Sequence, residues 1–203
     1  MLVEAERSLD LGSFAATQDS VNEYLLSVGD ALPIYKDTGL APPLYSAASA
    51  LGALLQELAL PPGAIHSLQE VETLTPVAIG SGLKVSALVE NPRRRGGLQF
   101  ITAVCSVESA GDVAIKSKST VLVSNGDTHE ATPRESKEQE GLTVKSGLGV
   151  VSKEINQDRL NAYAEASRDD NPLHLDPEFA VGTQFGGIIA HGMLTLAFVS
   201  EMM

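Results

Sequence analysis

YAEASRDDNPLHLDPEFAVGTQFGGIIAHGMLTLAF, residues 163–198, is the stretch from which the rest of the chain is read. Asp169, Asn171 and His174 fall within six residues beside Pro172. Proline fixes its own φ and holds the residue before it extended, so the three polar side chains sit on a rigid turn. A carboxylate and an imidazole that converge can hold one water between them, one taking a proton while the other orients the molecule or returns a proton. The same stretch then steps through Ala190, His191, Gly192 and Met193 into an apolar helical run. Gly192 is expected to open that helix, where unpaired backbone N–H groups and the positive dipole end favour a developing oxyanion. An Asp-x-Asn-Pro turn alone is also an ordinary Asx turn; the second element favours a site.

Asp169-Asp170-Asn171-Pro172-Leu173-His174-Leu175-Asp176, followed by Phe185-Gly186 and Ile189-Ala190-His191-Gly192-Met193-Leu194, resembles the signature of the MaoC-like (R)-specific enoyl-CoA hydratases. The resemblance is dense over residues 144–200 and weak elsewhere. It implies a hot-dog fold and syn addition of water to a trans-2-enoyl thioester. It further implies Asp169 and His174 as the catalytic pair, the Gly192 amide as oxyanion donor and Asn171 as a support of the loop. Asn171, Phe185, His191 and Met193 are placed on the substrate-binding side, and His191 reads as a helix-entry hydrogen-bonding residue rather than a second base. Hydration or its reverse is expected, on coenzyme A or acyl carrier protein. A hot-dog thioesterase and a non-catalytic acyl-binding subunit are the alternatives.

Working outward, the chain carries an internal repeat. Thr17, Tyr24, Asp30, Pro33 and Asp37 have counterparts 139 positions on, at Asn156, Tyr163, Asp169, Pro172 and Asp176. After a seven-residue difference in loop length, PLYSAASAL lies on IAHGMLTLA. A repeated supersecondary unit accounts for this. The first copy has Leu32 for Asn171, Tyr35 for His174, Tyr45 for His191 and Ser46 for Gly192. Chemistry is therefore assigned to the second copy, and packing with acyl binding to the first.

Residues 14–28 read as a short helix capped by Thr17, and residues 46–60 as a buried apolar helix stopped by Pro61-Pro62-Gly63. Four extended segments follow, at 65–77, 83–90, 98–109 and 112–124, the last two joined by a hairpin at Ala110-Gly111-Asp112. Arg93 to Arg95 read as a solvated hairpin tip, with contact to coenzyme A phosphates as the alternative. One apolar helix followed by antiparallel strands is the α+β hot-dog arrangement. The expected organisation is a tandem hot dog: an N-terminal domain at 1–124, a polar linker at 125–141 containing His129, and a partial C-terminal domain at 142–203. That domain begins with an extended segment at 142–151 and a helix capped by Asn156. It stops after its central helix, so Leu194, Leu196, Phe198 and Val199 are expected to be partly uncovered. A longer protein, a homodimer or a complementary chain would supply the missing strands.

The 203 residues carry a net charge of −12, which argues against nucleic acid and anionic membrane surfaces. The single cysteine, Cys105, excludes an intrachain disulfide, fits a reducing cytoplasm and reads as a small buried residue. The acidic start MLVEAERSLD does not resemble a signal peptide, and no apolar run is long enough to span a bilayer. No metal-ligand cluster, phosphate-binding glycine loop or nucleophile elbow is visible, Gly186-Gly187 being too short, so no bound cofactor is expected.

Overall fold

The computed structural model describes residues 6–124 and 153–200. The linker expected at 125–141, with His129, and the extended segment at 142–151 lie outside the described residues.

The first repeat comprises β1 (Arg7–Ala15), α1 (Gln18–Val28), α2 (Ile34–Thr38), α3 (Pro43–Leu58), β2 (Ile65–Thr73), β3 (Gly82–Val89), β4 (Arg93–Arg95), β5 (Leu98–Ser109) and β6 (Asp112–Ser124). The second comprises α4 (Gln157–Ser167), α5 (Pro172–Leu175), α6 (Pro177–Val181) and α7 (Gly192–Ser200). The strands form one antiparallel sheet, ordered β1-β3-β5-β6-β2, with β4 paired to β5. β5 alternates half-buried and buried residues along almost its whole length, because successive side chains point to opposite faces. Its buried set, Ile101, Ala103, Cys105 and Val107, faces α3 together with Val85, Ala87, Val121 and Val123.

α3 suits the centre of a wrapped sheet. Leu44, Leu51, Leu54 and Leu58 supply apolar bulk, each fully buried leucine being worth about 2 kcal/mol, while Ala47, Ala48 and Ala50 let the strands come close. Pro43 occupies the first helical turn, where its missing N–H costs nothing. Gly52 is required by close approach: a Cβ there would collide with the Ser167 carbonyl at the end of α4.

Several boundaries differ from those read in the sequence. Phe14 and Ala15 belong to β1, an edge strand with no counterpart in the sequence reading, so α1 begins only at Gln18. The segment read as 65–77 ends as a strand at Thr73, and α3 begins three residues early. Arg93–Arg95 are exposed, as a solvated hairpin tip would be, but form a short strand paired with β5 rather than part of the turn.

The repeat is visible in three dimensions. α1 and α4 occupy positions 139 residues apart and pack on each other. Thr17 caps α1 by accepting from the Ser20 N–H at 3.1 Å, and Asn156 caps α4 from Arg159 at 3.0 Å. Both helices end in a left-handed residue, Gly29 (φ 67°) and Arg168 (φ 61°). Tyr24 and Tyr163, also equivalent, bring their rings to 6.2 Å across the junction. Arg159 and Lys153 of the second repeat donate to the terminal carbonyls of α1, Val28 at 3.2 Å and Gly29 at 2.7 Å.

α7 departs from expectation at Leu194 alone, Leu196 and Phe198 being half-buried as expected. It packs against α1, α3 and β2 and buries Leu194 completely, and Arg159 lies 5.9 Å from the centre of the Phe198 ring. Val199 remains 52% exposed. No described helix is long and apolar enough to cross a membrane.

Candidate active site

The turn between α4 and α6 is held from several sides. Arg168, left-handed without being glycine, bends the chain out of α4 immediately before Asp169. Asn171 Oδ1 accepts from the Leu173 N–H at 3.1 Å, and its Nδ2 donates to the Ala64 carbonyl of the first repeat at 2.6 Å. Asp176 closes the turn by capping α6 through the Glu178 and Phe179 N–H groups. The loop reaches the C-terminal strip of the stretch through Leu173, whose carbonyl accepts from the Ile189 N–H at 3.2 Å.

His174 is 7% exposed and doubly fixed. Its backbone carbonyl accepts from Gln157 Nε2 at 3.0 Å, and its Nδ1 lies 2.8 Å from the Ile189 carbonyl. A carbonyl only accepts, so Nδ1 carries the proton and Nε2 is left with the lone pair of a base. The Asp169 carboxylate makes no hydrogen bond to protein among the described residues. One of its oxygens, one nitrogen of His174 and one of His191 lie within 4.8 Å of one another. A water that hydrogen-bonds two groups spans about that separation.

His191 is fully buried and stacks on His174, with ring centres 3.8 Å apart and a 33° tilt. Its Nε2 donates to the Asp169 backbone carbonyl at 3.0 Å, so it holds the aspartate's peptide and leaves the carboxylate alone. Burial and the neighbouring His174 push its pKa down to about 4, against the pull of Asp169. His191 continues a row of rings: its centre is 5.0 Å from Tyr163, itself in contact with Tyr24, which in turn is 5.8 Å from Tyr45. Burial pushes both Tyr24 and Tyr163 well above the ordinary tyrosine range, which suits packing rather than proton transfer. Cys105, fully buried in β5, has its thiol pushed up to about 12 by burial and is likewise a packing residue.

Asp169, His174 and His191 have the composition of a metal site. The sequence reading singled out no metal-ligand cluster, yet these three residues bring one potential ligand atom each within 4.8 Å of one another.

The pair opens into a cleft of about 310 Å³ whose walls come from both repeats. Asp169, Asp170, Asn171, Pro172 and His174 form one side, and the end of α3 with Pro61, Pro62, Ala64, His66 and Val121 forms the other. Gly192 starts α7 and is exposed, its amide in the first turn having no intrahelical acceptor. A Cβ on Gly192 would stand 3.3 Å from His66 Nδ1, close enough that the imidazole would have to give way by a few tenths of an ångström. Met193 and His191 are buried behind the cleft, and Phe185, 42% exposed, stands on the loop before Gly186; none of the three lines it. His66 does line it and was not singled out in the sequence, where IHSLQEVET reads only as a strand. A second cavity, apolar and about 240 Å³, lies at the other end of β2 between Tyr35, Leu40 and Pro76.

With this geometry in hand, comparison with known proteins places the chain. Residues 128–203 match the family model described as MaoC like domain. The 3-hydroxyacyl-thioester dehydratase X of Mycobacterium tuberculosis is 30% identical over 137 residues, 68% of this chain and 48% of that protein. The (R)-specific enoyl-CoA hydratase of Aeromonas caviae is 43% identical over 53 residues, 26% of this chain and 40% of that protein. The chain thus spans about half or less of the length of these relatives. The crystal structure of HtdX of Mycobacterium tuberculosis superposes with a TM-score of 0.75 at 22% identity, covering 95% of this chain and 74% of that one. The peroxisomal multifunctional enzyme type 2 of Drosophila melanogaster superposes at 0.62 with 20% identity, covering 96% and 36%. Over residues 128–203 the chain therefore carries a MaoC-like domain, set in a hot-dog fold.

Proposed function

We propose that the chain is an enzyme that interconverts trans-2-enoyl thioesters and (R)-3-hydroxyacyl thioesters by adding or removing water. The observation that carries this is the pairing, within 4.8 Å, of an Asp169 carboxylate that has no protein hydrogen bond among the described residues with a His174 whose tautomer is fixed, in a cleft walled by both repeats. The names of the matched relatives, a 3-hydroxyacyl-thioester dehydratase and an (R)-specific enoyl-CoA hydratase, agree with it.

In the hydration direction, water lies between Asp169 and His174. Its oxygen forms a bond to C3 as one of the two groups takes a proton from it. The C2=C3 electron pair moves onto the thioester as an enolate, whose oxygen is received by the Gly192 N–H. The proton then passes to C2, giving the hydroxyacyl thioester. Both additions come from the one wall that carries the pair, so they occur on the same face. Dehydration is the same path reversed. Asn171 and His191 serve as positioning groups, the first for the loop, the second for the Asp169 peptide. The substrate is an acyl thioester of coenzyme A or an acyl carrier protein, and a second copy or another chain is the expected partner.

Purified protein with crotonyl-CoA should consume the enoyl absorbance and form (R)-3-hydroxybutyryl-CoA. Release of free thiol from a saturated acyl-CoA, or hydration that survives in both Asp169→Asn and His174→Ala, would remove the proposal.

A further inference from the structure

His66 enters the cleft from the first repeat through a device in the backbone. β2 and β6 run in register at His66 with Val121, then resume at Leu68 with Thr120, so Ser67 is an extra residue, a β-bulge. In a regular strand residues three apart face opposite sides of the sheet. The bulge brings His66 and Gln69 to the same side, where His66 Nε2 and Gln69 Oε1 are 2.9 Å apart.

The proton positions on this network are determined by the partners. Gln69 Nε2 donates to the Glu70 carbonyl at 3.0 Å and to Ser117 Oγ at 2.7 Å, and a backbone carbonyl can only accept. Gln69 Oε1 is therefore the acceptor, receiving the Ser119 hydroxyl at 2.7 Å and the His66 Nε2–H. Burial holds the His66 imidazole below its ordinary range, against the pull of Asp169, so the ring is neutral at working pH. Its lone pair is then on Nδ1, the atom that stands 3.3 Å from where a Gly192 side chain would begin. By standard bond lengths Nδ1 lies within about 6 Å of the Gly192 nitrogen.

A lone pair so near the place where negative charge gathers opposes the reaction unless a donor stands on it. Within the thioester reading above, on which this inference rests, the nearest donor on the substrate is the amide N–H of the pantetheine arm, two methylenes from the sulfur. Coenzyme A and acyl carrier protein share that group. We propose that His66 Nδ1 accepts the pantetheine amide N–H, so that the first repeat recognises the carrier end of the substrate while the second carries out the chemistry.

Two crotonyl thioesters test this: the N-acetylcysteamine ester, which has the amide, and the S-butyl ester, which lacks it. The wild-type protein should favour the amide ester in kcat/KM by about tenfold, the size of one neutral hydrogen bond. His66→Ala should bring that ratio close to one, and His66→Asn, which keeps an oxygen acceptor near the Nδ1 position, should preserve most of it. A wild-type ratio near one, or a ratio that His66→Ala leaves intact, overturns the assignment while hydration itself stands. Failure of the wild-type protein to hydrate either ester overturns both this inference and the hydratase reading.

Discussion

The two repeats bend through the same turn and use their aspartates differently. In the first, Asp30 Oδ1 accepts from the Leu32 N–H at 2.9 Å, so the carboxylate is spent on its own turn. In the second, Asn171 stands where the first has Leu32, and its own side chain accepts from the Leu173 N–H, two residues further along the turn. The Asp169 carboxylate makes no bond equivalent to that of Asp30 among the described residues and lines the cleft instead. The next difference, Tyr35 against His174, decides whether a base stands beside it. The two copies thus differ in which side chain holds the turn as well as in whether an imidazole stands beside the aspartate.

The strongest way to break this comparison is to remove the pair. Asp169→Asn or His174→Ala should each lower kcat for crotonyl-CoA by roughly 10²–10⁴-fold, the usual contribution of a positioned acid or base; comparable loss from Asp30→Asn would erase the distinction between the copies. Asn171→Leu, which rewrites the second turn as the first, should cost about 10- to 100-fold in kcat, because the Ala64 carbonyl and Leu173 N–H lose their partner. A crystal structure of that variant should show Asp169 turned onto the N–H of residue 171, as Asp30 is turned onto that of Leu32. Unchanged kcat would mean that the carboxylate was never in competition for that bond.

The third difference, Tyr45 against His191, predicts an acid sensitivity for which the first repeat has no counterpart at the same position. The unfolded chain protonates His191 near its ordinary pKa of about 6.5, whereas the folded site resists until about 4. Between those values the unfolded state binds more protons, so this contribution to stability is fully present above the upper value and declines as pH falls toward the lower. The loss is on the order of a few kcal/mol, and His66, also held neutral by burial, acts with the same sign. Denaturant unfolding followed from pH 7 to 4.5 should show a steep fall that His191→Gln makes shallower. Least in size, Arg168→Gly copies Gly29 into the second repeat and should stabilise the protein by about 0.5–1 kcal/mol, since only glycine takes the left-handed conformation freely. A lowered melting temperature would show that Arg168 contributes contacts that outweigh its backbone strain.

How far such features can be read without coordinates depends on how local they are. The caps at Thr17 and Asn156, the apolar helix at α3 and the alternation of β5 are all set by neighbours a few residues away, and the repeat exposes itself by spacing. β1 escaped because its apolar residues Leu9, Leu11 and Phe14 are only partly buried and are broken by Gly12 at φ 82°, so its alternation is faint. His66 escaped for a different reason: its place in the cleft depends on a one-residue bulge and on a wall more than a hundred positions later in the chain. The covering of Leu194 by α1, α3 and β2 is likewise a matter of long-range packing that periodicity in α7, apolar on all sides, does not reveal.

The row of rings from Tyr45 through Tyr24 and Tyr163 to His191 and His174 is a mechanical link between the halves. A volume change at Tyr24 reaches the His174 imidazole through three consecutive ring contacts, so the first repeat has a share in setting where that ring stands.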